Sequence, residues 1–488
     1  MMRIVFVSQH ALPDVASGAA ISLVEMLGGL REVGAGIEVQ AICGATFDSQ
    51  PAPAEAMGRA GFHRPPLRMS VSGIPTEVFR CRHRGIDCLI ANSGFTASNP
   101  TPRQAWPYIA IADALLEQGR SSGRPVDVLI TFGGGWAGRA NLMLAKRHGC
   151  ASVLWLRNHS YSRRDLLELA DGIIVPSEYT ARHYRETLGV DALVAHSPVS
   201  ISRALAAEHE PRFVTFVSPI PEKGLYLLAR IGSELGRRRP DIPLLIVLGR
   251  GGVDQLSLPG LDLRSRPNVY VMPPTREPRE FLRHTKVMLA PSVWEETFFR
   301  TGIEAAINGI PTIGSDRGAL PEVIGDGGVI IPVPNWQALF HRTASVADAA
   351  PWVDAIGRCF DDAAHYQQLR EAAFGRARNF HHDRSIELHA RELGRLVAGG
   401  GRSGLSVGED GRMGLGDYLA RLDETSLPQE LHGQTRGLGG ISSEGAEANG
   451  LIEKLTDPES FELPTAAAGR DDGAGIMTLD AYLGSIGR

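Results

Sequence analysis

The chain has 488 residues, more than one hydrophobic core usually accommodates, so at least two domains are expected. Hydrophobic residues make up 43% of it and charged residues 22%, proportions that are typical of a folded globular protein and exclude bulk disorder. The 50 basic and 55 acidic residues give a net charge of -5, which argues against a protein that coats nucleic acid, so no nucleic-acid partner is expected.

The charge is unevenly distributed along the chain. Residues 401–488 contain 7 basic and 15 acidic residues, a net charge of -8, so the first 400 residues carry +3. Only four of the basic residues are lysines, at positions 146, 223, 286 and 454, and a lysine inside a motif is therefore informative. We expect a mildly basic folded part followed by an acidic tail.

The cysteines and the hydropathy bear on the cellular compartment. The five cysteines have neither metal-ligand spacing nor the pattern of a disulfide framework, and we interpret them as buried thiols in a reducing compartment. The apolar run after Arg3 is too short for a signal peptide, and no stretch approaches the roughly 18–20 apolar residues that span a bilayer. We predict a cytoplasmic protein and leave open a peripheral contact with the inner face of the membrane.

Short apolar runs alternate with amphipathic stretches in the first 200 residues, a pattern typical of a parallel sheet with helices on both faces. A first helix is predicted over residues 21–33, whereas residues 47–107, rich in Pro, Gly and Arg, give no regular pattern. The predicted strands cover residues 3–8, 37–42, 126–131, 152–156 and 172–175.

The alternation restarts after residue 210. Helices are predicted over residues 224–238 and 302–308, and residues 335–397 are helical throughout. The predicted strands cover residues 212–217, 243–248, 268–271, 286–289, 312–314 and 328–331. The fold class is therefore α/β, with a first doubly wound domain over residues 1–205, a second over 206–384, a closing helix over 385–398 and an acidic, Gly-rich tail over 399–488.

The tail is predicted to be mostly disordered. Its segments 413–422 and 477–486 resemble each other, and each could form a short amphipathic turn that docks on a protein partner; chance similarity in a biased segment is the alternative. The G-x-S-x-G string at residues 404–408 lacks the strand–turn–helix context of a nucleophile elbow, and we interpret it as a chance match.

Two loops precede predicted helices in a way that suits phosphate binding. In residues 13–20, Gly18 and Ala19 let backbone amides approach a ligand, although an ordinary strand–helix turn explains them equally. In the Pro-Glu-Lys-Gly segment, Lys223 adds its charge to the positive end of the following helix. A solvated first-turn lysine is the alternative there.

A third loop, within residues 291–311, carries two carboxylates. Seven residues separate Glu296 in the loop from Glu304 in the following helix, and the backbone amides of Phe298 to Thr301 lie between them. Carboxylates suit the vicinal diols of sugars, and the amides suit a phosphate. An exposed acidic loop with one helix-surface Glu is the alternative, but Glu304 lies in an apolar stretch, where a buried carboxylate needs a partner.

In this region the chain resembles glycosyltransferase family 4. The resemblance rests on the Glu-x7-Glu spacing of Glu296 and Glu304, on the segment 315–322, on Lys223 in Glu-Lys-Gly, and on Gly18. The helical segment 376–397 is similar to the family's closing helix. The resemblance covers residues 3–397 and is strongest over 212–334.

The resemblance implies the GT-B fold, two Rossmann-like domains that face a cleft, and retaining transfer of a sugar from a nucleotide diphosphate. It implies that Glu296 holds donor-sugar hydroxyls, Glu304 the ribose diol and Lys223 the pyrophosphate, and that the leaving phosphate helps to deprotonate the acceptor. His159 matches the family's cleft histidine, with a surface-loop histidine as the alternative. The implied catalytic residues are Glu296, His159 and Lys223, and the implied donor-binding residues are Gly18, Ala19, Lys223, Glu296, Phe298, Phe299, Arg300 and Glu304.

Three positions depart from the family pattern. Ser218 stands where the family often has a phosphate-binding arginine, a charge that Arg300 or Arg250 could replace. Phe299 and Ala19 stand where the family has glycine, and their side chains are expected to crowd a phosphate. These departures favour an alternative, a catalytically inactive protein of this fold that binds a nucleotide sugar or a partner. A nucleotide-sugar epimerase is a second alternative.

The chain contains no Asp-x-Asp, so we predict a metal-independent enzyme without a cofactor. The acceptor is left open between a glycan, a lipid-linked molecule and a small molecule. Arg80, Arg82, His83 and Arg84 form a basic cluster that could contact an anionic acceptor or a membrane. A solvated basic loop is the alternative.

Overall fold

The computed structural model describes residues 1–33, 36–48, 51–94, 101–258 and 261–399, and they form two compact units. Within these residues, unit 1 comprises Met1–Val175, His183–Ala195 and residues 386–399, and unit 2 comprises Pro176–Arg182 and His196–Ser385. The interpretations of the tail and of its G-x-S-x-G string fall outside the described residues. No helix in the described part of the chain is long and apolar enough to cross a membrane.

The change from unit 1 to unit 2 comes ten residues before the predicted boundary at 205/206. Val199 and Ala204 are buried in the same apolar cluster as Phe213, the first residue of the next strand, so the segment packs with unit 2. The final helix extends unit 1 because Ile386 and Leu393 are buried in a core of that unit.

Unit 1 contains a nine-stranded sheet among the described residues, in the order β3-β4-β5-β2-β1-β6-β7-β8-β9. The strands from β5 through β2, β1 and β6 to β9 pair in parallel, as the alternation of apolar runs predicts. The strands are β1 (Met2–His10), β2 (Ile37–Thr46), β3 (Leu67–Val71), β4 (Ile74–His83), β5 (Ile86–Asn92), β6 (Val128–Thr131), β7 (Ala151–Trp155), β8 (Gly172–Val175) and β9 (Leu193–Val194).

Within the segment without a regular pattern, residues 67–92 form an antiparallel meander at one edge of this sheet. β4 pairs antiparallel with both β3 and β5. Ser72 and Gly73 connect β3 to β4, Arg84 and Gly85 connect β4 to β5, and all four have positive φ. Two-residue turns of this kind match the twist of a hairpin, which explains why turn residues dominate the composition there.

Among the described residues, unit 2 contains a six-stranded parallel sheet in the order β14-β11-β10-β15-β16-β17, and a separate pair formed by β12 and β13. The four central strands of the sheet, from β11 to β16, are almost completely buried, as in a doubly wound sheet with both faces covered. The strands are β10 (Phe213–Val217), β11 (Leu244–Val247), β12 (Ser257–Leu258), β13 (Leu261–Asp262), β14 (Val269–Met272), β15 (Thr285–Ala290), β16 (Thr312–Ser315) and β17 (Gly328–Ile331).

Helices follow most of the parallel strands, so the predicted doubly wound pattern holds in both units. They are α1 (Gly18–Val33), α2 (Pro53–Arg59), α3 (Pro102–Ser121), α4 (Gly135–His148), α5 (Arg164–Leu167), α6 (Glu178–Leu188), α7 (Ile201–Ala204), α8 (Leu225–Arg238), α9 (Arg279–Leu282), α10 (Arg300–Ile307), α11 (Leu320–Ile324), α12 (Trp336–Leu339), α13 (Val346–Asp361), α14 (Ala363–Ala377) and α15 (His382–Ala398).

Candidate functional site

The candidate site of unit 2 is built on the loops after β10 and β15. These strands pair in parallel, so their carboxyl ends meet at one edge of the sheet, where doubly wound domains bind ligands. The amides of Val293 and Trp294 both donate to the carbonyl of Glu222, each at 3.1 Å, and join the two loops. Gly224 has φ +85, and a Cβ there would overlap the carbonyl of Pro291. A side chain at Gly224 would separate the loops.

Lys223 and Glu296 form an ion pair at this edge of the unit 2 sheet. The Lys223 ammonium donates to Oε1 of Glu296 at 2.7 Å, and the hydroxyl of Ser292 donates to the same oxygen at 2.7 Å. The Glu296 residue is only 8% exposed. The sequence predicted these two residues at separate parts of one ligand, and the structure places them in direct contact.

The loop after β16 holds the backbone of Glu296. Glu296 forms a parallel bridge with Gly318, and the amide of Ala319 donates to the Glu296 carbonyl at 2.7 Å. Gly318 has φ +63, and a Cβ there would overlap the Glu296 backbone. Three strand ends therefore converge on this one residue.

Phe299 directly precedes α10, which begins two residues earlier than predicted. Its side chain provides no cap for the first turn. Its ring is buried in the apolar cluster that contains Ile303 and Leu320, and it lies where a Cβ on Gly302 would be. The core accepts the ring and Gly302 makes room for it, whereas the crowding of a phosphate by this residue stays a prediction.

Arg300 and Glu304 form a second ion pair, on the first turns of α10. Arg300 Nε donates to Glu304 Oε1 at 2.9 Å, and its Nη1 donates to the carbonyl of Pro198 at 3.0 Å. Glu304 is buried, as its apolar neighbours in the sequence indicated. The sequence left Arg300 open between a phosphate cation and a helix-surface residue; in this structure it is the partner of the predicted ribose-binding carboxylate.

Ser218, which stands where the family resemblance implies an arginine, links the end of β10 to the end of β11. Its φ is +64, and its hydroxyl accepts from the amide of Arg250 at 3.4 Å. Because β10 and β11 are neighbours, this contact holds the Arg250 backbone beside the loop that leads to Lys223. Arg250 is therefore a candidate for the charge that Ser218 lacks.

Sequence reasoning missed a cluster around Glu322. This carboxylate accepts from the amides of Glu178 and Tyr179, each at 3.0 Å, at the start of α6, and lies 3.6 Å from Nε2 of His196. Burial raises its pKa, but the hydrogen bonds from His196 and the two amides outweigh burial and leave the pKa lowered. Phe298 stacks on His196 with ring centroids 5.9 Å apart. In the sequence, the one feature that pointed to this cluster was the family resemblance of segment 315–322, which ends at Glu322.

In unit 1, Gly18 begins α1, and a Cβ on it would meet no atom within 4 Å. Its conformation and packing therefore do not require a glycine, and the surface above it is open. The preceding loop is fastened by Asp14, which accepts from the amides of Ala16 at 2.9 Å and Asp48 at 2.6 Å. Ala19, next to Gly18, is partly exposed.

One group of potential metal ligands is found within unit 1 as described, at the ends of β1 and β2. His10, Asp14 and Asp48 hold ligand atoms within 4.8 Å of one another. His10 Nε2 lies 2.9 Å from Asp14, whose two oxygens already accept backbone amides. Asp14 therefore ties the end of β1 and the following loop to the residue two positions beyond β2.

His159 follows β7 in unit 1. Its ring centroid lies 4.4 Å from that of His183, and the hydroxyl of Tyr184 donates to the carbonyl of the adjacent Asn158 at 2.5 Å. His159 is partly exposed among aromatic side chains of its own unit. Lys223, Glu296, Phe298, Phe299, Arg300 and Glu304 belong to unit 2, whereas Gly18, Ala19 and His159 belong to unit 1.

Two arginines of the basic cluster at the end of β4 form ion pairs with carboxylates of the same unit. Arg82 donates to both carboxylate oxygens of Asp87, at 2.6 and 3.3 Å, and this hydrogen bonding raises its pKa. Arg84 pairs with the buried Glu25 at 3.5 Å. The compensation favours the interpretation of a solvated basic loop over an anion-binding surface.

The comparisons with known proteins agree with this fold. Residues 200–350 match the family model described as glycosyl transferases group 1. The phosphatidyl-myo-inositol mannosyltransferase of Mycolicibacterium smegmatis is 30% identical over 172 residues, which are 33% of this chain and 44% of the relative. The match thus spans less than half the length of that curated relative.

Solved glycosyltransferase structures cover most of the chain. Sucrose-phosphate synthase from Thermosynechococcus elongatus aligns with a TM-score of 0.58 and 15% identity over 82% of this chain and 100% of its own. Anabaena Alr3699/HepE in complex with UDP-glucose aligns with a TM-score of 0.55 and 15% identity over 81% of this chain and 100% of its own. The predicted fold class, two α/β domains of the GT-B type, is confirmed.

Proposed function

We propose that the protein is a glycosyltransferase that moves a sugar from a nucleotide-diphosphate sugar to an acceptor hydroxyl with retention of anomeric configuration. The observation that carries the proposal is the contact between Lys223 and Glu296 at the carboxyl edge of the unit 2 sheet. A cation for the diphosphate and a carboxylate for the sugar hydroxyls are adjacent there, as the two joined halves of one donor molecule require.

The diphosphate is the part of the donor that needs positive charge. Lys223 lies two residues before the start of α8, and α10 begins at Arg300, after the loop that follows the neighbouring strand β15. Helix N-termini carry a partial positive charge, and that charge adds to the ammonium of Lys223. Positive charge placed in advance stabilises the developing charge of the leaving diphosphate. This arrangement supports our proposal that neither a metal ion nor a cofactor is required.

The two carboxylates divide the hydroxyl groups of the donor. Glu296 lies beside Lys223 and takes the sugar hydroxyls, while Glu304, about one turn into α10, takes the ribose diol. Arg300 pairs with Glu304 in the absence of a nucleotide, and we propose that it moves to the phosphates when the diol replaces it. The leaving phosphate then accepts the acceptor proton, and His159 is proposed as a further catalytic residue.

The Arg300–Glu304 pair also favours a second candidate, a protein that binds a partner without transferring a sugar. If this pair persists, the ribose carboxylate stays occupied by the protein's own guanidinium. Ser218, which offers no cation, agrees with this alternative. An epimerase of the same fold would use the same donor site without an acceptor.

The three candidates give different products. The similarity to a mannosyltransferase and to the UDP-glucose complex of Alr3699/HepE suggests a panel of UDP-glucose, GDP-mannose and other nucleotide sugars, screened by thermal shift. A ligand at 100 times its dissociation constant stabilises by about 2.7 kcal/mol. The donor that stabilises the protein is then incubated with phosphatidyl-myo-inositol, glycans and small polyols, and the product anomer is read by NMR.

Retained configuration in a transferred product supports the proposal, and an inverted product overturns its retaining part. Donor binding without any product indicates the inactive alternative. Conversion of the donor in the absence of any acceptor indicates an epimerase. A panel in which no nucleotide sugar stabilises the protein contradicts the proposed function.

A further inference from the structure

Ser292 contacts the same carboxylate oxygen as Lys223. It lies two residues beyond β15, is 2% exposed, and donates its hydroxyl to Oε1 of Glu296 at 2.7 Å. Lys223 donates to that oxygen at the same distance. Among the described residues, no group donates a hydrogen bond to the other oxygen, Oε2. Both protein donors therefore converge on one oxygen and leave the second for a ligand.

The serine is itself held from the neighbouring strand. The hydroxyl of Ser315, at the end of β16, donates to the carbonyl of Ser292 at 2.6 Å. The backbone of Glu296 is fixed separately, through Gly318 and Ala319. The Ser292 hydroxyl is thus not needed to place the Glu296 backbone, and its contact acts on the direction of the Glu296 side chain.

Donor binding would change the partners of this carboxylate. A diphosphate carries more negative charge than one carboxylate, so it draws the Lys223 ammonium away from Glu296. A nearly buried carboxylate that loses a charged partner needs another donor to keep its position. Within the described residues, Ser292 is the other side chain that donates to Glu296 and carries no charge that a phosphate would attract.

We propose that Ser292 is a positioning residue that keeps Oε1 of Glu296 occupied after Lys223 turns to the diphosphate, so that Oε2 faces the hydroxyls of the donor sugar. The inference rests on the proposed function and deepens it, because it separates recognition of the sugar from recognition of the nucleotide. Ser292 touches neither part of the donor and acts through Glu296.

The test compares Ser292→Ala with Ser292→Thr, which keeps a hydroxyl. Ser233→Ala is the matched control, since Ser233 is also buried but lies more than two turns into α8. The dissociation constants of UDP and UDP-glucose are measured for each variant by calorimetry, and kcat and KM are measured for transfer.

One hydrogen bond to a charged group corresponds to a change of about 10- to 100-fold. We expect Ser292→Ala to lower kcat and to weaken UDP-glucose binding by this factor while UDP binding changes less than about threefold. Ser292→Thr should recover most of the loss, and Ser233→Ala should resemble the wild type. Equal weakening of UDP and UDP-glucose, or no recovery with threonine, would overturn the positioning role.

A crystal structure of ligand-free Ser292→Ala tests the inference without any donor. We expect the Glu296 carboxylate to leave its position or to occupy more than one rotamer, with its backbone unchanged. A carboxylate that stays within about 0.5 Å of its wild-type position overturns the inference, since productive geometry tolerates about that much. If the wild type binds neither UDP nor UDP-glucose, this crystal structure still decides the role of Ser292, while the proposed function is judged by the whole panel of nucleotide sugars.

Discussion

The ammonium of Lys223 lies 2.7 Å from Oε1 of Glu296, so two residues assigned to different parts of a donor neutralise each other in the ligand-free protein. The contact gives the nearly buried Glu296 side chain a charged partner. It also implies an exchange of partners, in which the diphosphate takes the lysine and the sugar hydroxyls take the carboxylate.

This exchange predicts opposite effects for the two alanine variants on nucleotide binding. Lys223→Ala should weaken UDP and UDP-glucose binding together, by about 10- to 100-fold, because the charge partner of the diphosphate is lost. Glu296→Ala should weaken UDP-glucose but bind UDP at least as tightly as the wild type, because the lysine no longer has a competing partner. Both variants should lose transfer. Calorimetry with UDP and UDP-glucose measures the difference, and Glu296→Ala that binds UDP more weakly would contradict the exchange.

A second prediction concerns the Arg300–Glu304 pair. Glu304→Ala should weaken UDP and UDP-glucose equally, because ribose is common to both. Glu234→Ala is a matched control, since Glu234 is also a buried helix carboxylate, paired with Arg237 at 2.7 Å. The control should alter stability without altering UDP binding. If Glu304→Ala affects UDP-glucose alone, the assignment to ribose is wrong.

A third prediction follows from the packing of Phe299 over Gly302. Gly302→Ala should destabilise the protein by about 1–3 kcal/mol, because the new methyl group overlaps the Phe299 ring. In a Phe299→Ala background the same change should be neutral or stabilising, by up to about 1 kcal/mol, because alanine favours a helix over glycine. Urea unfolding of the four proteins in the cycle measures the coupling. An equal loss of stability on Gly302→Ala in both backgrounds would show that the new methyl group does not overlap the Phe299 ring.

A fourth prediction concerns the loop joint at Gly224. Gly224→Ala should lower stability by about 1–3 kcal/mol, because it combines a positive φ with an overlap against the carbonyl of Pro291. Gly252→Ala is the control, since a Cβ there meets no atom within 4 Å and its φ is -96. Thermal unfolding compares the two variants. A Gly224→Ala protein as stable as the control would mean that the loops can separate without cost.

A fifth prediction is a pH dependence of stability that arises from Glu322. Its pKa is lowered in the folded protein, so its contribution is fully present above the unfolded pKa of about 4.3 and is lost as the pH falls through the folded pKa. Glu322→Gln should therefore cost about 1–3 kcal/mol at pH 7, and the difference from the wild type should shrink below about pH 4.

Urea unfolding at both pH values measures this dependence. Glu186→Gln, at an exposed position of α6, is the control and should cost little at either pH. A Glu322→Gln cost that is the same at pH 7 and below pH 4 would show that the charge of the carboxylate is not what stabilises the contact.

Local patterns predicted the positions where the strands end, and with them much of the candidate site. The apolar runs before Ser218 and before Pro291 end where β10 and β15 end, within one residue. Parallel strands bring their carboxyl ends to one edge, so Lys223 and Glu296 could be expected near each other from sequence alone. Residues 47–107 escaped this reasoning, because β3 and β4 are only partly buried and lack the continuous apolar runs of the buried parallel strands.

The sequence by itself determined the α/β class, the two sheets and the loops that carry the candidate residues, because strand and helix periods are local properties of the chain. Only the tertiary structure decided which side chains meet. The direction of the Phe299 ring depends on Gly302, the pairing of Arg300 with Glu304 depends on where α10 begins, and the contact of Glu322 with His196 joins segments far apart in the chain. Rotamers and long-range contacts are selected by the packing of neighbouring elements, which no local pattern records.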